Sequence, residues 1–193
     1  MKNQKQHIYP NSVFKESGLT FSFNNQWFVT KFDEHRFYKL LAGRGLKGVD
    51  FIGIYKEKTL VLMEVKNYID RYKADGINPT EVFLENPDFF LKKVEQKFED
   101  SLRLIQIVRR FYERKWWYRM FAKKLIGKLP FTFLMQFEWG FWTVVWQLVE
   151  EGKVEKVLWL ELGEESKTSS KKAGETLILS RRKNAFESSL FVK

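Results

Sequence analysis

The sequence predicts an α/β fold that opens with a β-hairpin. Three observations carry that expectation. Apolar residues alternate with period two on either side of Asn24-Asn25, two runs of strand formers flank Lys56-Glu57-Lys58, and apolar residues after Asp88 recur at three- and four-residue steps.

Residues 1–12 are polar and carry Pro10, which reads as a loose arm before a single domain over residues 13–180. Leu19 to Phe23 alternates, Asn24-Asn25 signals a turn, and Trp27 to Phe32 resumes the strand pattern, so these two runs are expected to pair. Asp33 can cap a short helix over Glu34 to Leu41, stopped by Gly43. Val49 to Tyr55 and Thr59 to Lys66 form a second expected hairpin. Residues 70–87 hold Gly76, Pro79 and Pro87 and read as irregular, and Asp88 opens a long helix with Phe90, Leu91, Val94, Phe98, Leu102, Ile105 and Val108 on one side. Beyond it, Pro130 to Phe137 reads as a strand, Gly140 to Glu151 as a helix ended by Gly152, and Lys156 to Leu162 as a strand. Thr176 to Ser180 reads as an edge strand, and residues 181–193 as a mobile tail.

Composition narrows the classes of function. The 193 residues suffice for one domain with a real core, and 44% hydrophobic against 30% charged residues is the balance of a globular chain rather than a disordered one. Cysteine is absent, which excludes disulfides, thiolate metal ligands and a cysteine nucleophile. Thirty-four Lys and Arg against 24 Asp and Glu give a net charge of +10, so nucleic acid is the first partner to consider, with an anionic membrane surface meeting the same arithmetic. The stretch Phe131 to Val149 approaches the length of a membrane span, but Glu138 near its middle and Gly140 argue for buried strand plus helix. Met1 to His7 lacks the apolar run of a signal peptide, so the expected location is the cytoplasm. His7 and His35 are too far apart in sequence to suggest a two-histidine metal site, and His35 is expected to pack or cap.

The chemistry concentrates in the second hairpin. With Glu57 at its centre, residues whose numbers sum to 114 face each other, which sets Asp50 against Glu64 with Lys66 emerging on the same side. Two like charges placed opposite one another destabilise a hairpin, all the more among Ile, Leu, Val, Phe and Met, so a divalent cation is the expected compensation. Magnesium suits carboxylates, a backbone carbonyl and water, and Lys66 beside them can stabilise an attacking hydroxide or charge developing on a phosphate. Acids on opposite sides of the sheet, or acids plugged by a salt link and sealed from solvent, would speak against an ion.

Gly48-Val49-Asp50, thirteen intervening residues and Glu64-Val65-Lys66 resemble the motif of the PD-(D/E)XK nuclease superfamily, with Val49 in place of the motif's proline. The resemblance implies a restriction-endonuclease-like core with a mixed central β-sheet flanked by helices. It also implies a magnesium (or manganese) ion held by Asp50, Glu64 and the Val65 carbonyl, Lys66 assisting catalysis, and hydrolysis of phosphodiester bonds in DNA. Many members add an acid from a helix before the first strand, for which Glu34 is the nearest candidate. The glutamine-and-tyrosine signature of some DNA-repair members is missing, so the subfamily and substrate stay open.

Basic residues crowd between Arg103 and Lys128, interleaved with Trp116, Trp117, Tyr118 and Phe121, a pattern that can track a phosphate backbone and stack bases or can be a solvated helix face. Lys47, Arg109, Arg110, Arg114 and Lys115 are the candidate nucleic-acid contacts. Cutting both strands calls for two sites, so a homodimer is a possible assembly. Two alternatives stand beside the nuclease: a catalytically inactive nucleic-acid-binding module on the same fold, and a protein-interaction or membrane-peripheral protein exposing Trp116, Trp117, Trp139, Trp142 and Trp146.

Overall fold

The computed structural model describes residues 11–35, 38–39, 45–68, 83, 85–126, 133–161 and 190–192. They form β1 (Ser12–Glu16), β2 (Leu19–Phe23), β3 (Trp27–Lys31), β4 (Phe51–Tyr55), β5 (Thr59–Asn67), α1 (Pro87–Ile126), α2 (Phe133–Glu150), β6 (Val154–Glu161) and β7 (Leu190–Val192). The chain is mixed α/β. A four-stranded sheet in the order β3-β4-β5-β6 is antiparallel except where β6 runs parallel to β5, and a smaller antiparallel sheet has the order β1-β2-β7.

The N-terminal hairpin is made by β1 and β2. Ser17 and Gly18, with φ of 51° and 80°, close it in two residues, so that Glu16 pairs with Leu19. Strand β1 begins at Ser12, where the sequence suggested a loose arm. The expected pairing of β2 with β3 does not form: β2 lies between β1 and β7, and β3 pairs with β4. The turn signal at Asn24-Asn25 is real, because Asn24 Oδ1 accepts the Gln26 N–H at 3.0 Å and its carbonyl accepts that of Trp27 at 3.1 Å. It works as a corner between sheets. Phe23 and Trp27 end ring to ring at 5.4 Å within the core cluster that the two sheets share.

The hairpin β4–β5 has the expected register, Phe51 with Met63 through Tyr55 with Thr59. Lys56 and Glu57 both adopt positive φ at its turn, and the Lys58 N–H closes on the Tyr55 carbonyl at 3.0 Å. Every residue of β4 is buried because the sheet is covered on both faces, which is why the strand reads as a continuous apolar run. On one face Ile52, Ile54, Leu60, Leu62 and Leu158 meet Val94, Phe98, Leu104, Ile105 and Val108 of α1 and Trp142, Val145 and Trp146 of α2. On the other, Trp27, Val29, Phe51, Val61, Met63 and Val65 meet Phe21, Phe23 and Leu190 of the smaller sheet. Among the described residues, then, helices cover one face of the central sheet and strands the other, where helices had been expected to flank it.

Three further expectations change. Residues 133–137 are helical, not a strand, and Gly140 lies inside α2. A short apolar run cannot by itself distinguish a strand from a buried helix, and here the run continues into Phe141, Trp142, Val145 and Trp146 at helical spacing. The tail is anchored in part, since Leu190 to Val192 add β7 to the edge of β2. Trp142 and Trp146 are core residues, with the Trp146 indole donating to the Ile105 carbonyl at 3.2 Å, so neither belongs to an exposed aromatic patch. Helix α1 starts at Pro87, one residue before the expected Asp88, and is capped by Asn86, whose Oδ1 accepts the Phe89 N–H at 3.1 Å. It then runs 40 residues, taking in most of the basic aromatic stretch. Of the expected helix 34–41, Tyr38 and Lys39 are helical and the Lys39 N–H bonds the His35 carbonyl; Phe37, Leu40 and Leu41 lie outside the described residues, as do residues 176–180 and most of the irregular stretch 70–87.

Candidate functional site

The site forms where β4 begins and β5 ends, against the inner face of α1. Asp50 sits one position before the first paired rung of β4, and its backbone carbonyl accepts the Phe32 N–H at 2.8 Å. Its side chain folds back along the sheet: Oδ2 accepts the Val65 N–H at 2.6 Å. A carboxylate thus takes the place that the next backbone carbonyl of β4 would have held in the ladder. Since a strand residue presents N–H and C=O to the same edge, the Val65 carbonyl opens on the Asp50 side as well.

Glu64 is fully buried on the helix side of β5. Its Oε1 receives the Lys66 ammonium from its own strand and the Lys97 ammonium from α1, the latter at 2.5 Å, while Oε2 is buried with no hydrogen-bond partner among the described residues. Glu64 is near enough to Asp50 for its charge to act there, and the two lysine side chains on Glu64 are 28% and 24% exposed. Burial, and then the charge of Glu64, push the Asp50 carboxyl up from 3.8 to about 6, against the pull of the Val65 N–H. Burial opposes the charged form of Lys97, yet the charge of Glu64 and its hydrogen bond outweigh that and hold the ammonium above its ordinary range. The same two ammoniums supply, without a metal, positive charge that a buried Glu64 demands, so at Glu64 the arrangement expected to speak against an ion, an acid plugged by a salt link and sealed from solvent, is the one found.

Helix α1 also fixes the approach to Asp50. Ser101 Oγ accepts the Val49 N–H at 2.9 Å and donates to the Lys97 carbonyl at 2.7 Å. Asp100, itself buried, accepts the Lys47 N–H at 3.2 Å and the Gln96 amide at 2.9 Å. One helical turn, residues 96–101, thereby sets both the strand entering the site and a cation within it.

A second group of acids adjoins Asp50. Carboxylate oxygens of Glu16, Asp33 and Asp50 lie within 4.8 Å of one another. Burial raises the Asp33 carboxyl, and its Oδ1 is buried without a partner among the described residues. Glu34, by contrast, is exposed and held by Lys31 at 2.6 Å, which also grips Glu16 at 2.9 Å; the Lys31 bond keeps the Glu34 carboxyl below its usual range. The neighbours of Asp50 on that side are Asp33 and Glu16, with Glu34 turned outward.

Of the candidate substrate contacts, the Lys47, Arg110 and Arg114 side chains are exposed. Arg109 is paired with Glu113 at 2.9 Å and with Glu150, so its charge is already spent within the protein. The Lys115, Trp116 and Trp117 side chains lie outside the described ones. His35 packs its ring against Trp142 at 5.3 Å. Among the described residues no helix is long and apolar enough to cross a membrane.

Sequence reasoning missed Lys97, Glu16 and Asp33. Lys97 had a signal, because it and Ser101 interrupt the buried stripe of Val94, Leu104 and Val108, and a lysine on a core-facing side asks for a partner. Glu16 had none, since only the second sheet brings β1 near Asp50. No protein family, curated protein or solved structure matches the chain.

Proposed function

We propose that the chain is a magnesium-dependent nuclease with a restriction-endonuclease-like core, hydrolysing phosphodiester bonds in DNA. The observation that supports this reading is a buried Glu64 near Asp50 whose Oε2 has no partner among the described residues while a lysine stands at Oε1. A buried carboxylate oxygen left unpaired is costly, and an oxygen-seeking divalent cation is a fitting partner for it. Asp50, Glu64 and the Val65 carbonyl would supply an all-oxygen donor set of the kind magnesium or manganese takes. Such an ion, when bound, acidifies water and offsets charge on phosphate oxygens.

The chain's own residues divide the remaining work. Lys66 reaches the mouth of the site and can leave Glu64 to meet a phosphate oxygen or the attacking water. Asp50, held by the Val65 N–H, keeps one oxygen for the ion. Lys47, Arg110 and Arg114 offer exposed positive charge to the backbone of the substrate. Purified protein with magnesium and a panel of DNA forms is expected to show cleavage that Glu64→Ala and Lys66→Ala each abolish. Cleavage surviving either substitution would refute the assignment.

A second reading is favoured by a specific observation: Lys66 and Lys97 neutralise Glu64 with no ion needed. In that case the chain is an inactive nucleic-acid-binding module on the same fold. It would bind DNA in a salt-sensitive way, show no metal-dependent cutting, and be indifferent to Asp50→Asn.

A further inference from the structure

We infer that Lys97 is a positioning residue that couples cation binding to phosphodiester binding at the Asp50–Glu64 site, an inference that rests on the nuclease reading above. Lys97 is misplaced for a solubilising lysine. Its neighbours on α1, Glu95 and Glu99, face solvent, whereas Lys97 lies on the stripe with Val94 and Ser101 and reaches across to Glu64 Oε1 at 2.5 Å. Its place is also mechanically tied to the other acid, because Ser101 bonds both the Lys97 carbonyl and the Val49 N–H next to Asp50.

The charges explain what a second lysine accomplishes. Asp50 and Glu64 are balanced by Lys66 and Lys97, while the adjoining Glu16 and Asp33 face one further ammonium, Lys31, so the group carries one net negative charge before an ion enters. A divalent cation joining it leaves one positive charge without a partner. A phosphodiester meets that need; water alone does not. Lys97 thus weakens binding of the cation by itself and strengthens binding of the cation together with a phosphate, which is a coupling between two ligands and works equally in both directions. Lys66 has a task at the reacting phosphate. Lys97, held on the helix, stays behind to keep Glu64 Oε1 occupied and Oε2 turned to the ion.

The test is manganese binding to the full chain, followed by the ion's paramagnetic resonance, with and without a phosphorothioate-linked DNA oligonucleotide as a slowly cleaved probe. Wild-type protein is expected to bind manganese more tightly when the oligonucleotide is present. Lys97→Met removes one positive charge beside the ion, and even at the dielectric of water this is expected to tighten manganese binding about tenfold without DNA. The gain from adding DNA is expected to shrink by a like factor. Lys97→Arg, which keeps the charge, is expected to restore the wild-type values. A purely structural lysine predicts the opposite sign, with manganese binding in Lys97→Met unchanged or weakened, and that result would overturn the inference while leaving the nuclease reading standing. Wild-type protein that binds no manganese would overturn both. Should Lys97→Met fail to fold by circular dichroism, Lys97→Gln removes the same charge with a polar stem and must show the same tightening.

Discussion

Replacing Asp50 with asparagine is expected to make the protein more stable and less active. The carboxyl titrates near 6 in the folded chain against an ordinary 3.8, because folding buries it and sets it beside Glu64. A group whose folded value is raised binds more protons when native than when unfolded, so stability falls as pH rises from about 4 to about 6 and stays low above. The interval, at about 1.4 kcal/mol per pH unit, amounts to about 3 kcal/mol of destabilisation at neutral pH. Asparagine keeps an oxygen for the Val65 N–H and discards the charge, so it recovers up to that amount, with 1 to 3 kcal/mol a fair range (~1 M in the urea midpoint). Urea unfolding between pH 4 and pH 8 reads it directly: the wild-type midpoint should decline across pH 4 to 6, and the Asp50→Asn midpoint should be flat there and higher at pH 7.5. A variant that is less stable at pH 7.5, or that keeps the wild-type slope, would refute the account of Asp50 as a strained carboxylate.

Two glycine substitutions should move stability in opposite directions. A β-carbon at Gly53 would lie 3.0 Å from Val29 Cγ2 and 3.2 Å from the Trp27 ring, so Gly53→Ala is expected to cost about 1 to 3 kcal/mol of unfolding free energy. At Gly140, inside α2, it meets no described atom within 4 Å, and Gly140→Ala should stabilise by about 0.5 to 1 kcal/mol, seen as a higher melting temperature. Asn86→Ala removes the cap on the Phe89 N–H and is expected to cost about 1 kcal/mol in the same urea measurement.

The hairpin carrying Asp50, Glu64 and Lys66 was legible because its register follows from local facts: two runs of strand formers, a short loop, and a side-chain period of two. The long helix was legible for the same reason, its apolar residues returning every three or four positions. What failed was long-range. Leu19 to Phe23 and Trp27 to Phe32 look like partners, yet the corner at Asn24 sends them to different sheets, and the partner of β2 on its other edge is Leu190 to Val192, almost the whole chain away. Phe133 to Phe137 carries no period long enough to tell helix from strand. Glu34 was the nearest acid in sequence, while the turn after β3 points Asp33 inward and leaves Glu34 with Lys31.

Sequence alone therefore determined that two acids and a lysine come to the open end of one hairpin, since neighbours along a strand and across a tight turn need no knowledge of the rest of the molecule. Only the tertiary structure decided that a second lysine comes from α1, that Glu16 and Asp33 adjoin Asp50, and that Glu64 is fully buried. Each of those depends on which face of a helix or sheet meets which other element. That choice is made by burying apolar surface across the whole chain, and no local window of residues contains it.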